Sequence, residues 1–338
     1  MNRILITGGA GFIGSHLTDR LLESGYRVTV LDNLSNGSLE NLDHAKTYSE
    51  FNFIQGDILS KSSCKEAIEH VDFVFHLACL GVRHSIHSPF ENHRVNAEGT
   101  LNVLEAARIA GVKHVFYIST SEIYGRTTSF PITESAATNP LTVYGASKLA
   151  GEHYANAYYE CYKLPITVLR IFNNYGPRAH YEGDAGEIIP RSIVKILYGE
   201  PPVLFGKGDI TRDFFFVKDT ALALQALLNI VQDGKQEKLI AKTFNVGTGS
   251  EISMKELLEN ILLRMGKAEL GIDFRPDRPA DVPRLWVEPK EFKVLTNFLP
   301  SYSFEEGIQE TIDYYASKVA YRNLLEEVQE TNWIRQTS

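Results

Sequence analysis

Tyr144 and Lys148, in the run Thr142-Val-Tyr-Gly-Ala-Ser-Lys148, stand four residues apart. On a helix they share one face, one turn apart. An ammonium beside a phenol favours the phenolate, which makes Tyr144 a candidate base near neutral pH. The spacing alone is weak evidence, because Tyr159/Lys163 and Tyr314/Lys318 repeat it. Those two pairs lie in amphipathic stretches and read as a packed tyrosine beside a solvated lysine. A second cluster is Ser119-Thr120-Ser121-Glu122, hydroxyls and a carboxylate in one turn. Its bland reading is a capped turn, which Ser and Thr favour in any case.

These groups need elements to hold them. Arg3–Thr7 is a short apolar run that leads into Gly8-Gly-Ala-Gly11-Phe-Ile-Gly14 and the helical pattern Ser15–Leu22. Strand, glycine turn and helix together are the context of a dinucleotide site. Gly8 allows the tight turn, Gly11 lets the backbone approach a pyrophosphate, and Gly14 lets helix and strand pack closely. Unpaired N–H groups at the helix N-terminus then face the phosphates. A second strand, Tyr26–Leu31, ends in Asp32, near the place of a ribose-binding acid. A carboxylate there accepts from ribose hydroxyls and repels a 2′-phosphate, which favours NAD over NADP. Its bland role is a turn or helix cap.

The alternation continues through strands at 51–55, 72–76, 114–118 and 166–170, with helices at 61–70, 91–110 and 141–162 between them. Strands alternating with helices predict an α/β fold with a doubly wound parallel sheet. Function then collects at the strand ends, here 56–58, 77–79, 119–122 and 173–174.

The chain has 338 residues, 43% of them hydrophobic, enough for one large domain or two. A net charge of −8 argues against nucleic acid or an anionic membrane as the main partner. Cys64, Cys79 and Cys161 have no metal-ligand spacing, so no metal is expected and the thiols read as reduced and mostly buried. Met1 leads straight into a strand pattern and no apolar run reaches membrane-spanning length, which points to the cytoplasm.

Taken in order, Thr7-Gly-Gly-Ala-Gly-Phe-Ile-Gly14, Gly56-Asp57, His76-Leu-Ala78, Ser119-Thr-Ser-Glu-Ile-Tyr-Gly125, Tyr144-Gly-Ala-Ser-Lys148 and Arg170-Ile-Phe-Asn-Asn-Tyr-Gly-Pro-Arg178 resemble the extended short-chain dehydrogenase/reductases, in their nucleotide-sugar epimerase/dehydratase group. The resemblance covers roughly residues 1 to 315. It implies a Rossmann-type NAD-binding domain over 1–172, to which 213–247 returns. A smaller, discontinuous α/β domain over 173–212 and 248–316 would bind the nucleotide sugar. Residues 317–338 form a polar tail that reads as a surface helix with no chemistry. Cofactor contacts are implied for Gly8, Gly11, Phe12, Ile13, Gly14, Asp32, Asn33, Asp57, Ile58, Leu77, Ala78, Asn96, Ser119, Tyr144 and Lys148, with Asp57-Ile58 at the adenine. Tyr144 would be the base, Thr120 the hydroxyl beside it, and Lys148 the holder of the nicotinamide ribose that lowers the Tyr144 pKa. Arg212 and Arg278 would clasp the diphosphate with Asn173 below it, and His84 and Arg178 would stand near the sugar. The substrate would be a UDP-linked sugar, and helices 91–110 and 141–162 would pair in a homodimer.

Members of this group share a first step, oxidation at C4 to a 4-ketosugar. Glu122 bears on which reaction the ketosugar then undergoes. Thr-x-Glu resembles 4,6-dehydratases and uronate decarboxylases more than plain 4-epimerases, because a carboxylate there can reach C5–H. Dehydratases acting on dTDP-glucose have Asp where Ser121 stands, whereas GDP-mannose and some UDP-N-acetylglucosamine dehydratases show Thr-Ser-Glu. The expectation is therefore a 4,6-dehydratase, with Ser121 and Glu122 in the catalytic turn. A 4-epimerase, a decarboxylase using Arg178, Arg284 or His84 for the uronate, and a non-catalytic NAD-binding regulator are the alternatives.

Overall fold

The computed structural model describes residues 2–277, 282–329 and 331–334. Its frame is a seven-stranded parallel sheet. In chain order the strands are β1 (Arg3–Thr7), β2 (Arg27–Asp32), β3 (Phe51–Gln55), β4 (Phe73–His76), β5 (His114–Thr120) and β6 (Ile166–Ile171), and the last strand of the sheet is Lys242–Val246. In space, that last strand lies beside β6, followed by β5, β4, β1, β2 and β3. Every residue of β4, β5 and β6 is buried, as expected of strands covered on both faces. Strand order reverses between β1 and β4, where Thr7 is in register with His76. A crevice at the strand ends is expected at that switch point.

Helices cover both faces. They are α1 (Phe12–Glu23), α2 (Lys61–Ile68), α3 (Val82–His87), α4 (Pro89–His93), α5 (Gly99–Ala110) and α6 (Val143–Tyr162). The helix expected over 91–110 is not continuous. A π-helical turn, Arg94–Glu98, separates α4 from α5. It carries Asn96, whose amide accepts from Leu80 N at 2.8 Å and donates to Leu80 O at 2.9 Å and to Ser147 Oγ at 3.2 Å. The irregular turn thus fixes the loop after β4 against α6.

A second hydrophobic core forms beyond the sheet. It unites Tyr175, Ile189, Ile193 and Phe216 with Leu257, Leu258, Ile261, Ile308 and Tyr315. The helices of this half of the chain are α7 (Ile188–Leu197), α8 (Val217–Gln232), which packs on α1, α9 (Met254–Arg264), α10 (Lys290–Thr296) and α11 (Phe304–Val319). Among the described residues no helix is long and apolar enough to cross a membrane.

Only Cys64 of the three cysteines is buried. Cys79 is half-buried and Cys161 exposed, because Cys161 sits on the outer face near the end of α6.

Candidate active site

A cavity of about 420 Å³ opens at the switch point and runs from the glycine turn to the second core. At one end Gly8 has φ +73°, and a side chain there would lie 2.7 Å from Ala78 N. A Cβ on Gly14 would come within 2.2 Å of Gly8 O. The turn therefore admits no side chains, and α1 begins at Gly11 without a side-chain cap, leaving its N–H groups facing the cavity. Phe12 and Ile13 line the same end.

Asp32 closes β2. Its carboxylate accepts from Ala10 N at 3.0 Å and Leu34 N at 2.8 Å, and burial pushes its pKa up despite both bonds. Each oxygen keeps a lone pair for a ribose hydroxyl, so capping and ribose binding coexist. Asn33 donates to Asp57 Oδ2 at 2.9 Å, which ties the ends of β2 and β3 together, and Ile58 lies beside them on the cavity wall. Leu77 and Ala78 complete that wall from the end of β4. The shape and the donor set fit a dinucleotide.

The residues expected to carry the chemistry line the same cavity. Thr142 caps α6 by accepting from Gly145 N, which places Tyr144 in the first turn and Lys148 one turn later. Both reach the cavity, as do Ser119, Thr120, Ser121 and Glu122 from the end of β5. Thr120 Oγ1 accepts from Glu122 N at 3.2 Å, so the expected cap exists and also orients the carboxylate's residue. The Thr120 hydroxyl also bonds Tyr144.

Lys148, expected to lower the Tyr144 pKa, is not among the main influences on it. Burial raises Tyr144 well above the ordinary phenol value, Cys79, Glu122 and Glu187 act in the same direction, and the Thr120 bond opposes them. Burial likewise lowers Lys148, whose ammonium rests 4.5 Å from the centre of the Tyr117 ring.

Toward the second core, Asn173 and Arg212 line the cavity. Asn173 Oδ1 is buried without a partner among the described residues, and Arg212 is buried with Nη1 donating to Thr211 O at 2.8 Å. His84 is present as well, with Nε2 at 3.4 Å from Glu91.

Three expected residues stand elsewhere. Arg178 does not line the cavity; it pairs with Asp19 of α1 at 2.8 Å, because its backbone turns at φ +66° toward that helix. Asn96 is held behind the wall by Leu80 and Ser147, where it supports the cavity without facing it. Arg284 also faces away, bound to Glu251 and stacked between Phe130 and Trp286. Arg278 lies outside the described residues.

Cavity residues that sequence reasoning did not single out include Arg83, His180, Asp184, Glu187 and Trp333. Arg83 bonds Glu187 at 3.1 Å, His180 pairs with Glu182 at 2.7 Å, and Trp333 arrives from the tail assigned no chemistry. The His180 pKa is raised: burial lowers it, but the Glu182 bond and charge outweigh that. The only signal available was density, with His180, Glu182, Asp184 and Glu187 crowded into the polar stretch after Arg178.

The profile of the GDP-mannose 4,6 dehydratase family matches residues 5–311. A UDP-glucose 4-epimerase of Mycolicibacterium smegmatis is 35% identical over 94% of this chain and 99% of its own. A UDP-N-acetyl-alpha-D-glucosaminuronate decarboxylase of Bacillus cytotoxicus is 34% identical over 93% of this chain and 97% of its own. The dTDP-glucose 4,6-dehydratase of Streptomyces venezuelae, solved with NAD bound, superposes with a TM-score of 0.88 at 29% identity, covering 96% of this chain and 99% of that one. With this match along nearly its whole length, the chain belongs to the extended short-chain dehydrogenase/reductases, among the NAD-dependent nucleotide-sugar epimerases, dehydratases and decarboxylases.

Proposed function

We propose that the protein is an NAD-dependent nucleotide-sugar 4,6-dehydratase. The observation that carries this reading is Glu122, a carboxylate on the cavity wall two residues from Thr120 and close enough to Tyr144 to oppose its ionisation. NAD+, when bound, would supply the redox chemistry, accepting hydride from C4 and, as NADH, giving it back at C6. Tyr144 takes the proton of the sugar 4-hydroxyl, with Thr120 bonded to it, and Lys148 holds the adjoining ribose. The resulting ketone acidifies C5–H, and Glu122 removes that proton. The same carboxyl, now protonated, delivers its proton to the departing 6-hydroxyl, so that C5–H and C6–OH leave together as water. Glu122, reprotonated from solvent, returns a proton to C5 as C6 receives hydride, and Tyr144 releases to solvent the proton it took from the 4-hydroxyl. Asn173 and Arg212 hold the diphosphate, where the fork of an arginine meets phosphate oxygens two at a time.

A second reading, 4-epimerisation of a UDP-hexose, is favoured by the relative from Mycolicibacterium smegmatis. It uses Tyr144, Thr120 and Lys148 and leaves Glu122 idle. Decarboxylation would have to draw on His84 for the uronate, because Arg178 and Arg284 are both committed to ion pairs outside the cavity.

The test is incubation of the purified protein, without added NAD, with UDP-glucose, UDP-N-acetylglucosamine, UDP-glucuronate and GDP-mannose in heavy water. Loss of water with deuterium at C5 is expected. A new C4 epimer of unchanged mass, free of solvent deuterium, establishes the second reading instead.

A further inference from the structure

The geometry points to Trp333 as the residue that stacks on the nucleobase of the substrate, carried into the cavity by the C-terminal segment. This rests on the nucleotide-sugar reading above and assigns a residue to the base.

The cavity has a direction. The glycine turn, Asp32 and Asp57 form its cofactor end, and Tyr144, Thr120 and Glu122 its middle. Arg212 lines it as well, and the apolar Ile188, Ile210 and Met254 of its lining share a wall with Phe205. A sugar at Tyr144 with its diphosphate at Arg212 sends the nucleoside toward that wall. There the half-buried Trp333 ring meets Phe205 edge to face, with centroids 4.8 Å apart and planes at 83°. A T-shaped contact occupies at most one face of the indole, so the other is clear of Phe205, and base–aromatic stacking tolerates any base.

The segment is anchored, which separates it from a loose terminus. Leu324 is fully buried in the second core. Gly183 N donates to Glu327 O at 3.1 Å, and Arg191, itself buried, donates to Gln329 O at 2.6 Å. Asn332, next to the tryptophan and fully buried, donates to Gly186 O at 3.0 Å. These bonds tie the segment to the stretch that supplies Asp184 and Glu187 to the cavity, so Trp333 is positioned by the same loop that borders the sugar.

The test uses the full-length chain with UDP, inorganic pyrophosphate and NAD+ as probes, in wild type, Trp333→Ala and Trp333→Phe. The alanine variant is expected to bind UDP roughly tenfold more weakly, the order that loss of one stack produces. The phenylalanine variant should recover most of that loss. Pyrophosphate and NAD+ affinities and the thermal midpoint should stay unchanged in both. The protein has two tryptophans, and Trp286 lies outside the cavity lining. UDP should therefore quench the remaining emission in Trp286→Phe. UDP binding to Trp333→Ala as tightly as to wild type, or more tightly, overturns the assignment; the tighter case would make the indole an occupant of the base's place. A parallel fall in UDP and pyrophosphate affinity also overturns it. A wild-type protein that takes up no UDP, dTDP or GDP sinks this assignment together with the nucleotide-sugar reading. UDP binding that ignores residue 333 sinks this assignment alone.

Discussion

At the scale of single residues, the reaction hinges on whether Glu122 handles a proton. Glu122→Gln keeps size and hydrogen bonding while removing the base. Water loss and deuterium entry at C5 should fall by roughly 10²- to 10⁴-fold, the usual contribution of a positioned acid or base. Reduced nicotinamide should still appear on adding substrate, since Tyr144 and Thr120 are untouched. Unchanged water loss in this variant would remove Glu122 from the chemistry. The tyrosine could be read from sequence because its strand and glycine context singled it out, and the structure shows how the decoys differ. Lys163 sits exposed at the left-handed end of α6, and Lys318 is bonded to Glu40 on the surface. Arg178 was misread because a motif gives its position in the chain but not the positive φ that turns it toward Asp19.

At the scale of elements, the catalytic turn is held by a polar knot between β5, β6 and α6. Buried Glu152 of α6 receives two nitrogens of Arg170, including Nη2 at 2.7 Å, and also the Ser119 hydroxyl. Arg170 Nη1 reaches Tyr124 Oη at 2.7 Å, and Tyr124 in turn donates to Asn245. The knot fixes β5 at Ser119, one residue before Thr120, and fixes α6 one turn beyond Lys148. Glu152→Gln leaves the Arg170 charge buried and uncompensated, which costs about 3–5 kcal/mol in such sites. A urea unfolding midpoint that fell with an unchanged slope would show that loss, and a midpoint equal to wild type would contradict it. The strands and helices themselves were legible from alternating apolar runs, and β3 begins and ends where the pattern placed it. The knot was not, because its partners lie 18 to 121 residues apart and no local period links them. The π-helical turn was hidden for a related reason: inserting it leaves the apolar pattern of 91–110 nearly continuous while rotating Asn96 onto Leu80.

At the scale of the whole molecule, three histidines are sealed away neutral, and together they set the acid limit of the fold. His16, His76 and His114 are each lowered from 6.5 to about 3. Burial is the main cause in all three, with the cations Arg178 and Lys218 adding to it at His16 and Lys148 at His76. Below pH 6.5 the unfolded chain takes up protons that the folded chain refuses. Stability present above that pH is therefore lost as pH falls toward 3. Buried carboxylates with raised pKa values, Asp19, Asp32, Glu134, Asp213 and Asp219, act in the opposite sense. These carboxylates stabilise as pH falls through their raised folded values toward 4, and His180, also raised, stabilises as pH falls toward 6.5, so between pH 7 and 5.5 they offset part of the loss from the three sealed histidines. Three such groups should together remove about 4 kcal/mol over that interval. Urea titrations at the two pH values read the net change after that offset, so the histidine share is read from a variant that removes one of them. His114→Phe isolates one contribution. The ring already packs 4.7 Å from Phe116, and the Thr167 hydroxyl keeps its own bond to Leu239 O when the imidazole is gone. The imidazole also leaves Nδ1 buried without a partner among the described residues, so the substitution removes an unsatisfied polar atom together with the titrating group. The variant should match or exceed wild-type stability at pH 7 and lose about 1.3 kcal/mol less than wild type on going to pH 5.5, and equal losses in the two would mean that His114 is not sealed.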